Sequence, residues 1–331
     1  MRVAIVTNSD FSGVINRFGQ PCPHPPPERR TQENIVAALQ QGGHETLVCE
    51  GDKRLLATLE RFMPPGPQAR PSGMVFNLAE GIQGETRETH VPAMLEMAGV
   101  PYTGSGPLGI GLTTDKVITK MLLRDKGVPT PNFRVMRRGT ENAADLQFPV
   151  VVKPRYEDGS LGLQLVHEHS KLKQAVEVIA RQYAQDALVE EYIEGREIAL
   201  ALLGNEEPEV FPPVEQDFGD REKRLMDWEA KYVAAAAVPK ICPAQIGSSL
   251  ATVLRDISVA TFRACHCRDF ARVDLRIDRS GQPFVLEMNS PSLGMHSSYV
   301  TAATTAGYSF SSLINRILNV AHTRCFGFGI P

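Results

Sequence analysis

The first third of the chain alternates short apolar runs with stretches of helical periodicity. The runs VAIVT, ETLVC and GMVFNLAE are typical of buried strands. The stretches ENIVAALQQ and HVPAMLEMAG place apolar residues at helical spacing, with Thr31 as the expected N-cap of the first helix and Gly42-Gly43 as its end. The proline-rich PCPHPPPERR before that helix predicts a loop. Strands that alternate with helices in this way predict an α/β layer around a parallel sheet.

A second alternation begins at residue 115 and continues to the end of the chain. The pattern predicts helices over DKVITKMLLR, residues 170–183, residues 248–265 and SFSSLINRILNV, and strands at FPVVVKP, LGLQLV, ALVEEYI and REIALALL. Residues 205–245 have little periodicity and many prolines and charges, which predicts a long loop of the kind that often acts as a lid. We therefore expect three parts, over residues 1–114, 115–194 and 195–331.

Residues 269–289, DFARVDLRIDRSGQPFVLEMN, predict a hairpin with one polar face. Arg272 and Asp274 alternate with apolar residues before the RSG turn, and Glu287 and Asn289 alternate in the same way after it. Carboxylate and amide oxygens are hard donors suited to Mg²⁺. A guanidinium beside such a metal site suits the charge that develops in phosphate chemistry. The alternative is a surface hairpin with ordinary polar alternation.

A lysine beside a turn and a pair of acids predict a nucleotide-binding site. Lys153 ends an apolar strand before the turn EDGSLG, where it could hold a polyphosphate while the turn amides cover it, or could simply be solvated. In VEEYIEGRE, Glu190 and Glu197 flank Tyr192 and Ile193. The acids could accept hydrogen bonds from an amine and from ribose hydroxyls while the apolar pair packs a flat base.

Composition narrows the class of protein. An apolar content of 42% and a charged content of 22% over 331 residues are ordinary for a globular protein of two or three domains. A net charge of −3 offers no basic surface to nucleic acid. With no signal peptide or membrane-length apolar run, we expect a cytoplasmic protein with six reduced cysteines. Cys265-His266-Cys267 lacks the second half of a metal site, so packing is its expected role.

These stretches together resemble the ATP-grasp enzymes and, within them, D-alanine–D-alanine ligase. The resemblance runs from about residue 73 to residue 320. The matching stretches are MLEMAGVPYTGSG, TTDKVITKMLLRDKGVPTP, FPVVVKP, LVEEYIEGRE, DWEAKY, ARVDLRIDRSGQPFVLEMN and SSYVTAATTAGYSFSSLINRIL. The resemblance implies an ATP-grasp fold with an N-terminal Rossmann-like domain, a central lid domain and a C-terminal α+β domain.

The resemblance also implies an ATP site and a metal site. The implied nucleotide residues are the phosphate lysines Lys116 and Lys153, the lid residue Ser160, the adenine-amine and ribose acids Glu190 and Glu197, the adenine neighbours Tyr192 and Ile193, and Lys231, which would reach the γ-phosphate. The implied ligands of two Mg²⁺ or Mn²⁺ ions are Asp274, Glu287 and Asn289.

For the reacting groups, the resemblance implies that Arg272 stabilises the developing oxyanion and that Ser298 binds the carboxylate of the second substrate. Tyr232 falls on the tyrosine that marks the dipeptide-forming members, which favours an amine nucleophile over a hydroxy acid.

The departures from the ligase lie at the amino-acid pockets. NSDFSGVINRFGQPCPHPPPERRT replaces the N-terminal signature that supplies the acid for the first substrate's ammonium, leaving Glu28, or else Glu80 or Glu88, for that role. The lid has Asp158-Gly159-Ser160 where the ligase has Gly-Ser-Ser, and SPSLGMH shifts the family's Gly-Met pair by one place.

The expected function is therefore an ATP-dependent carboxylate–amine ligase that acts through an acyl phosphate on amino acids other than two D-alanines. Its expected partners are small-molecule substrates, with neither nucleic acid nor membrane, and a homodimer stays open. Two alternatives also stay open: a true D-alanine–D-alanine ligase of cell-wall synthesis, and a non-catalytic ATP-binding protein. The full set of reacting residues on the hairpin argues against the last.

Overall fold

The N-terminal part is built on a parallel sheet, as the alternation predicts. The structure is a computed structural model that describes residues 1–8, 29–67, 71–233 and 237–327. The elements of this part are β1 (Arg2–Thr7), α1 (Arg29–Gln41), β2 (Glu45–Glu50), α2 (Leu55–Phe62), β3 (Gly73–Asn77), a 3₁₀ turn (Arg87–Thr89), α3 (His90–Met97) and α4 (Pro107–Thr114). The strand order is β2-β1-β3, and β1 pairs in parallel with both neighbours.

One predicted helix boundary in this part is wrong. Helix α1 already includes Arg29, so Thr31 lies inside its first turn and is not its N-cap. Arg29 and Arg30 are good helix formers, and they carry the helix back toward the proline-rich stretch.

The central part is an antiparallel sheet covered by one helix. Its elements are α5 (Lys116–Asp125), β4 (Phe133–Met136), β5 (Val150–Pro154), β6 (Gln164–Val166), α6 (His169–Tyr183) and β7 (Ala187–Glu191). The strand order is β4-β7-β5-β6, with every pair antiparallel. Helix α5 begins at a capped end, because the Asp115 carboxylate accepts from the backbone nitrogens of Val117 and Ile118. This cap positions Lys116 at the first turn.

The C-terminal part carries a larger antiparallel sheet. Its elements are β8 (Gly195–Leu203), β9 (Glu209–Val210), β10 (Val214–Gln216), α7 (Trp228–Tyr232), β11 (Lys240–Ile241), α8 (Ser248–Ala264), β12 (Phe270–Asp278), β13 (Pro283–Asn289), α9 (Ser298–Thr305) and α10 (Phe310–Phe326). The strand order is β11-β10-β8-β12-β13, with β9 beside β8. The predicted hairpin is β12 and β13.

The expectation of a structureless loop over residues 205–245 is only partly right. This segment contributes β9, β10 and β11 to the sheet and contains α7. Each of these strands has two or three residues, which is too short to produce a periodic signal in the sequence. The segment is therefore anchored to the sheet on both sides of α7.

The two faces of the C-terminal sheet pack against different neighbours. Ile198, Leu200 and Leu202 belong to the core that includes Leu254 and Phe262 of α8. Ala199 and Ala201 face the other way, into a core shared with α9, α10 and the N-terminal sheet. This second core joins the first and last described elements of the chain.

The sequence also predicts that Cys265 and Cys267 serve in packing and that no apolar run is long enough to span a membrane. Cys265 and Cys267 are buried free thiols that pack in the core beside α8. In the part of the chain that the structure describes, no helix is both long and apolar enough to cross a membrane. The division of the chain into domains at residues 114 and 194 stays a prediction.

Candidate active site

One face of the C-terminal sheet gathers the polar residues that the hairpin pattern predicts. Arg272 lies opposite Asn289, and Asp274 lies opposite Glu287, across the pairing of β12 with β13. On the other side of β12, Arg276 lies opposite Glu197 of β8. Because cross-strand partners point to the same side and residues two apart share a face, these side chains form one polar surface.

The predicted metal ligands touch one another on this surface. Asn289 Nδ2 donates to Asp274 Oδ2 at 2.8 Å and to Glu287 Oε1 at 3.3 Å. Arg272 donates twice to Asp274, from Nε to Oδ1 at 2.7 Å and from Nη2 to Oδ2 at 2.6 Å. The four side chains therefore form a connected corner, which we call the hairpin corner (Arg272, Asp274, Glu287 and Asn289).

The donor chemistry of the hairpin corner fits Mg²⁺. Among the described residues no group of three His, Cys, Asp or Glu side chains could hold a metal, so the third protein ligand here would be the Asn289 amide. Mg²⁺ is commonly held by one or two carboxylates, with phosphate oxygens and water completing its shell. Asp274 and Glu287 supply that number of carboxylates.

Positive charge keeps the hairpin corner ionised. Burial alone raises the pKa of Glu287, but the charges of Lys153, Lys116, Lys231 and Arg272 outweigh it and hold that pKa well below its usual range. Burial lowers the pKa of Arg272, and the adjacent Asp274 reverses this and raises it. Both groups are therefore charged at neutral pH.

Three buried charges meet between α5 and the central sheet. Glu190 Oε1 lies 2.6 Å from Lys153 Nζ, and Glu190 Oε2 lies 2.6 Å from Lys120 Nζ. Burial raises the pKa of Glu190, but the two lysines overcome this and lower it. Burial lowers the pKa of Lys120 to about 8. The structure thus joins a predicted phosphate lysine to the predicted adenine-amine acid, and the adenine role of Glu190 stays a prediction.

Ser160 lies in the turn between β5 and β6, and the side chain of Lys116, from α5, contacts the same turn. Lys116 Nζ donates to the Glu157 carbonyl at 2.5 Å and lies 3.8 Å from Asp158 Oδ1. Ser160 Oγ donates to the Met226 carbonyl at 2.6 Å. This last bond ties the predicted phosphate lid to the segment that carries α7.

The residues predicted to hold adenine and ribose lie around a buried arginine. Arg276 is 1% exposed, and its guanidinium donates to the Ile193 carbonyl at 2.6 Å and to Glu197 Oε2 at 2.8 Å. It also donates to the carbonyl of Arg224 at 2.9 Å and lies 4.7 Å from the centre of the Tyr192 ring. One face of that ring is thus covered by the guanidinium. Burial raises the pKa of Glu197, and Arg276 opposes the rise.

Helix α7 presents the predicted γ-phosphate lysine toward the site. Asp227 caps the helix by accepting from the Ala230 backbone nitrogen at 2.8 Å. Lys231 is exposed, but it lies close enough to help lower the pKa of Glu287. Tyr232 is 51% exposed, with its ring centre 5.6 Å from that of Trp228.

The three candidates for the first substrate's ammonium differ in placement. Glu28 lies outside the described residues, and Glu80 is exposed. Glu88 is partly buried in the 3₁₀ turn, where Thr114 Oγ1 donates to its Oε2 at 3.3 Å. Burial raises the pKa of Glu88 to about 8, and the charge of Asp158 adds to the rise. Glu88 is thus a buried acid beside a second acid.

Ser298 is the first residue of α9, the helix that Ser297 caps. It is 9% exposed, and its Oγ accepts from Gln216 Nε2 at 3.1 Å. The free backbone N–H groups of a helix start favour a carboxylate, and the role of Ser298 in binding the second substrate stays a prediction.

Sequence reasoning missed Lys120, Arg276 and Gln216. A signal existed for Lys120, which lies four residues after Lys116 and so shares its helix face. Arg276 also continues the alternation of Arg272 and Asp274. Gln216 lies in a strand too short to show a pattern.

Comparisons with known proteins identify the family and the fold of this chain. A family model described as D-ala D-ala ligase C-terminus matches residues 122–319. The uncharacterized protein y4sG of Sinorhizobium fredii is 72% identical over 334 residues, which cover 100% of this chain and 99% of that protein. The D-alanine--D-alanine ligase of Pelotomaculum thermopropionicum is 33% identical over 264 residues, covering 76% of this chain and 81% of the relative.

Among solved structures, the D-alanine--D-alanine ligase from Bacillus anthracis complexed with ATP matches with a TM-score of 0.76 and 21% identity, and covers 98% of both chains. This likeness shows a shared ATP-grasp fold, and the family match spans more than half of the sequence. The family match and the relative at 33% identity together show that this chain belongs to the D-alanine–D-alanine ligase family of ATP-grasp proteins.

Proposed function

We propose that this protein is an ATP- and Mg²⁺-dependent carboxylate–amine ligase that joins amino acids other than two D-alanines. The observation that carries the proposal is the hairpin corner, where two carboxylates and an amide lie in contact with an oriented guanidinium. The family supplies the ligase class, and the substrates and the number of metal ions are part of the proposal.

In the proposed reaction, the first substrate's carboxylate attacks the γ-phosphate and ADP leaves, which gives an acyl phosphate. Phosphoryl transfer depends mostly on positioning and charge, which Lys116, Lys153 and Lys231 would supply. Asp274, Glu287 and Asn289 would hold two Mg²⁺ ions, which neutralise phosphate charge when bound. The second substrate's amine then attacks the acyl carbon, Arg272 stabilises the oxyanion, and phosphate leaves as the amide forms.

For the first substrate's ammonium we propose Glu88. Its pKa is raised to about 8 because it is buried and faces the Asp158 carboxylate, with Arg87 and Glu80 as the other charged neighbours. A buried acid beside a second, half-exposed acid is well suited to a cation, and a substrate ammonium would restore the ionised form of Glu88.

A second candidate is a true D-alanine–D-alanine ligase. It is favoured by relatives with that name, such as those from Pelotomaculum thermopropionicum at 33% and Carboxydothermus hydrogenoformans at 32% identity. The departures at the amino-acid pockets disfavour it. In particular, Gly159 stands where the ligase has a serine.

ATP-dependent phosphate release with a panel of D- and L-amino acids separates the candidates. We expect release with particular pairs, and use of D-alanine alone to be weaker by roughly a hundredfold or more, because Gly159 removes a serine that contacts the first substrate in the ligase and Glu88 would hold the ammonium from a different place than the ligase's own acid. A kcat/KM for D-alanine alone of about 10⁴ M⁻¹s⁻¹ or higher would establish the second candidate instead. ATP binding without phosphate release for any pair would indicate a non-catalytic protein.

Removal of the metal tests the hairpin corner separately. We expect EDTA or Glu287→Gln to abolish phosphate release while the circular dichroism spectrum is kept, because the proposed ligands are hard oxygens. Full activity under either condition would contradict the metal assignment.

A further inference from the structure

Gln216 is a buried amide with one end unpaired, beside the residue predicted to bind the second substrate. It is 7% exposed, and its Nε2 donates to Ser298 Oγ at 3.1 Å. Its Oε1 has no hydrogen-bond partner among the residues that the structure describes. A buried acceptor without a donor is unfavourable, so an unpaired one next to a binding residue suggests that a ligand completes it.

The open hydrogen-bonding capacity extends to Ser298. Because its Oγ accepts the bond from Gln216, its hydroxyl hydrogen is left to donate to another group. Ser298 stands at the start of α9, whose first backbone N–H groups favour an anion. One ligand that has a carboxylate for Ser298 and a donor for Gln216 would satisfy both residues.

The sheet register shows which end of that ligand meets Gln216. Gln216 lies opposite Glu197 of β8, and Glu197 lies opposite Arg276 of β12. Arg272, which would stabilise the reacting carbonyl, lies four residues before Arg276 on β12. At about 3.3 Å per residue, that displaces Arg272 by about 13 Å along the strand from the row that contains Gln216. Gln216 thus lies in a different row of the sheet from Arg272 and meets the substrate at the end that Ser298 would bind.

The charges nearby disfavour a cationic group at this position. Lys240 of β11 lies opposite Gln216 and donates to the His296 carbonyl at 2.8 Å. Burial and the charge of Arg272 lower the pKa of Lys240, so further positive charge would meet repulsion here. The carboxylate of Glu197, on the other side, is already paired with Arg276 at 2.8 Å.

We propose that Gln216 selects the second substrate, and that this substrate is an amino acid whose side chain carries a neutral hydrogen-bond donor, an amide or a hydroxyl. The amide nitrogen of Gln216 orients the Ser298 hydroxyl toward the substrate carboxylate, and the amide oxygen accepts from the side-chain donor. This inference rests on the proposed ligase function and goes beyond it by defining the class of the second substrate.

Matched pairs of second substrates provide the test. With ATP and the first substrate saturating, phosphate release is measured for threonine against valine and for asparagine against leucine, in both enantiomers. We expect the wild type to prefer the donor-bearing member of at least one pair by about a hundredfold or more in kcat/KM, because a site built to hydrogen-bond a group rejects the analogue that lacks it. Equal use of both members would overturn the proposal.

The variant Gln216→Leu is expected to reduce that preference to less than about tenfold, mainly through the KM of the donor-bearing substrate. Gln245→Leu, at an exposed glutamine of the same segment, is the control and should keep the wild-type preference. Gln216→Met serves if the leucine variant does not fold, as judged by circular dichroism. An unchanged preference in a folded variant overturns the proposal.

The design separates this inference from the function on which it rests. Phosphate release by the wild type with any amino-acid pair supports the ligase function whatever the outcome for Gln216. A wild type that releases no phosphate with any pair overturns the ligase function and the inference with it.

Discussion

At the scale of single residues, the hairpin corner shows how one side chain fixes another. Arg272 is held by two hydrogen bonds to Asp274, so its guanidinium has a defined orientation. A pre-oriented cation stabilises developing negative charge without having to reorganise during the reaction. Asp274 therefore serves both as a proposed metal ligand and as the group that positions Arg272.

Replacing Arg272 with alanine should slow the chemical step. We expect Arg272→Ala to lower kcat by about 10²-fold or more, with ATP affinity within about twofold of the wild type, because the oxyanion exists only during the reaction. Steady-state kinetics and ATP titration measure the two effects. Arg279→Ala, at an exposed arginine on the hairpin turn, is the control and should change neither. Lost ATP affinity with unchanged kcat would make Arg272 a phosphate-binding residue instead.

Glu88 should make binding of the first substrate depend on pH. Its pKa is raised to about 8, so below that pH the free carboxyl is protonated and must lose its proton to pair with an ammonium. Apparent affinity should therefore rise about tenfold per pH unit from pH 6 toward 8 and level off above. Calorimetric titration at several pH values measures the slope.

The variant Glu88→Gln cannot ionise, so it should bind the first substrate more weakly and without this slope. Its charged neighbours Asp158, Arg87 and Glu80 are unchanged in the variant and keep any slope of their own. The same pH slope in the variant as in the wild type would assign the ammonium site to another acid.

At the scale of elements, β12 connects two functions of the sheet. Its alternate residues Arg272, Asp274 and Arg276 share one face, so a single strand contributes to the hairpin corner and contacts the turn between β7 and β8 at Ile193. Arg276 also donates to the Arg224 carbonyl, in the segment that leads to α7 and Lys231. Arg276 of β12 thus holds the turn between β7 and β8 and this segment to the same side chain.

Replacing Arg276 with methionine should loosen the nucleotide site. We expect Arg276→Met to raise the KM for ATP by about tenfold or more and to lower kcat at saturating ATP much less, because it removes the donors to the carbonyls of Ile193 and Arg224. The readout is the division of the effect between KM and kcat. Arg279→Met, whose pair with Glu194 is exposed, should leave both unchanged. A loss of stability with an unchanged KM would limit Arg276 to a structural role.

At the scale of the whole molecule, Asp269 joins distant parts of the chain. It is fully buried and accepts from Arg324 of α10 at 2.8 and 2.9 Å. It also accepts from the Gly104 backbone nitrogen at 2.8 Å and from Asn205 Nδ2 at 3.2 Å. The last helix, the end of the N-terminal part and the loop after β8 therefore meet at one carboxylate.

Removing that charge should destabilise the whole protein. Asp269 has a φ of 63°, which asparagine also tolerates, so Asp269→Asn removes the charge without backbone strain. We expect the free energy of unfolding to fall by about 3–5 kcal/mol, because Arg324 is left largely buried without its partner. Denaturant unfolding measures the change. Asp256→Asn, in an exposed pair with Arg255, should stay within about 0.5 kcal/mol of the wild type.

The sequence by itself determined the features that depend on near neighbours. Alternation at period two placed Arg272, Asp274, Glu287 and Asn289 on one face, and the RSG turn joined their strands. The alternation of strands and helices predicted the parallel N-terminal sheet. These features are local, since each depends on residues within about 20 positions of one another.

Only the tertiary structure decided which distant residues meet. Gln216 and Ser298 are 82 positions apart, and Arg276 and Ile193 are 83 apart. Their contacts follow from the placement of β8 between β10 and β12 and from the packing of α9 on this sheet. A local pattern states which face of a strand a side chain occupies, but strand order comes from long-range packing, and it is strand order that selects the partner on that face.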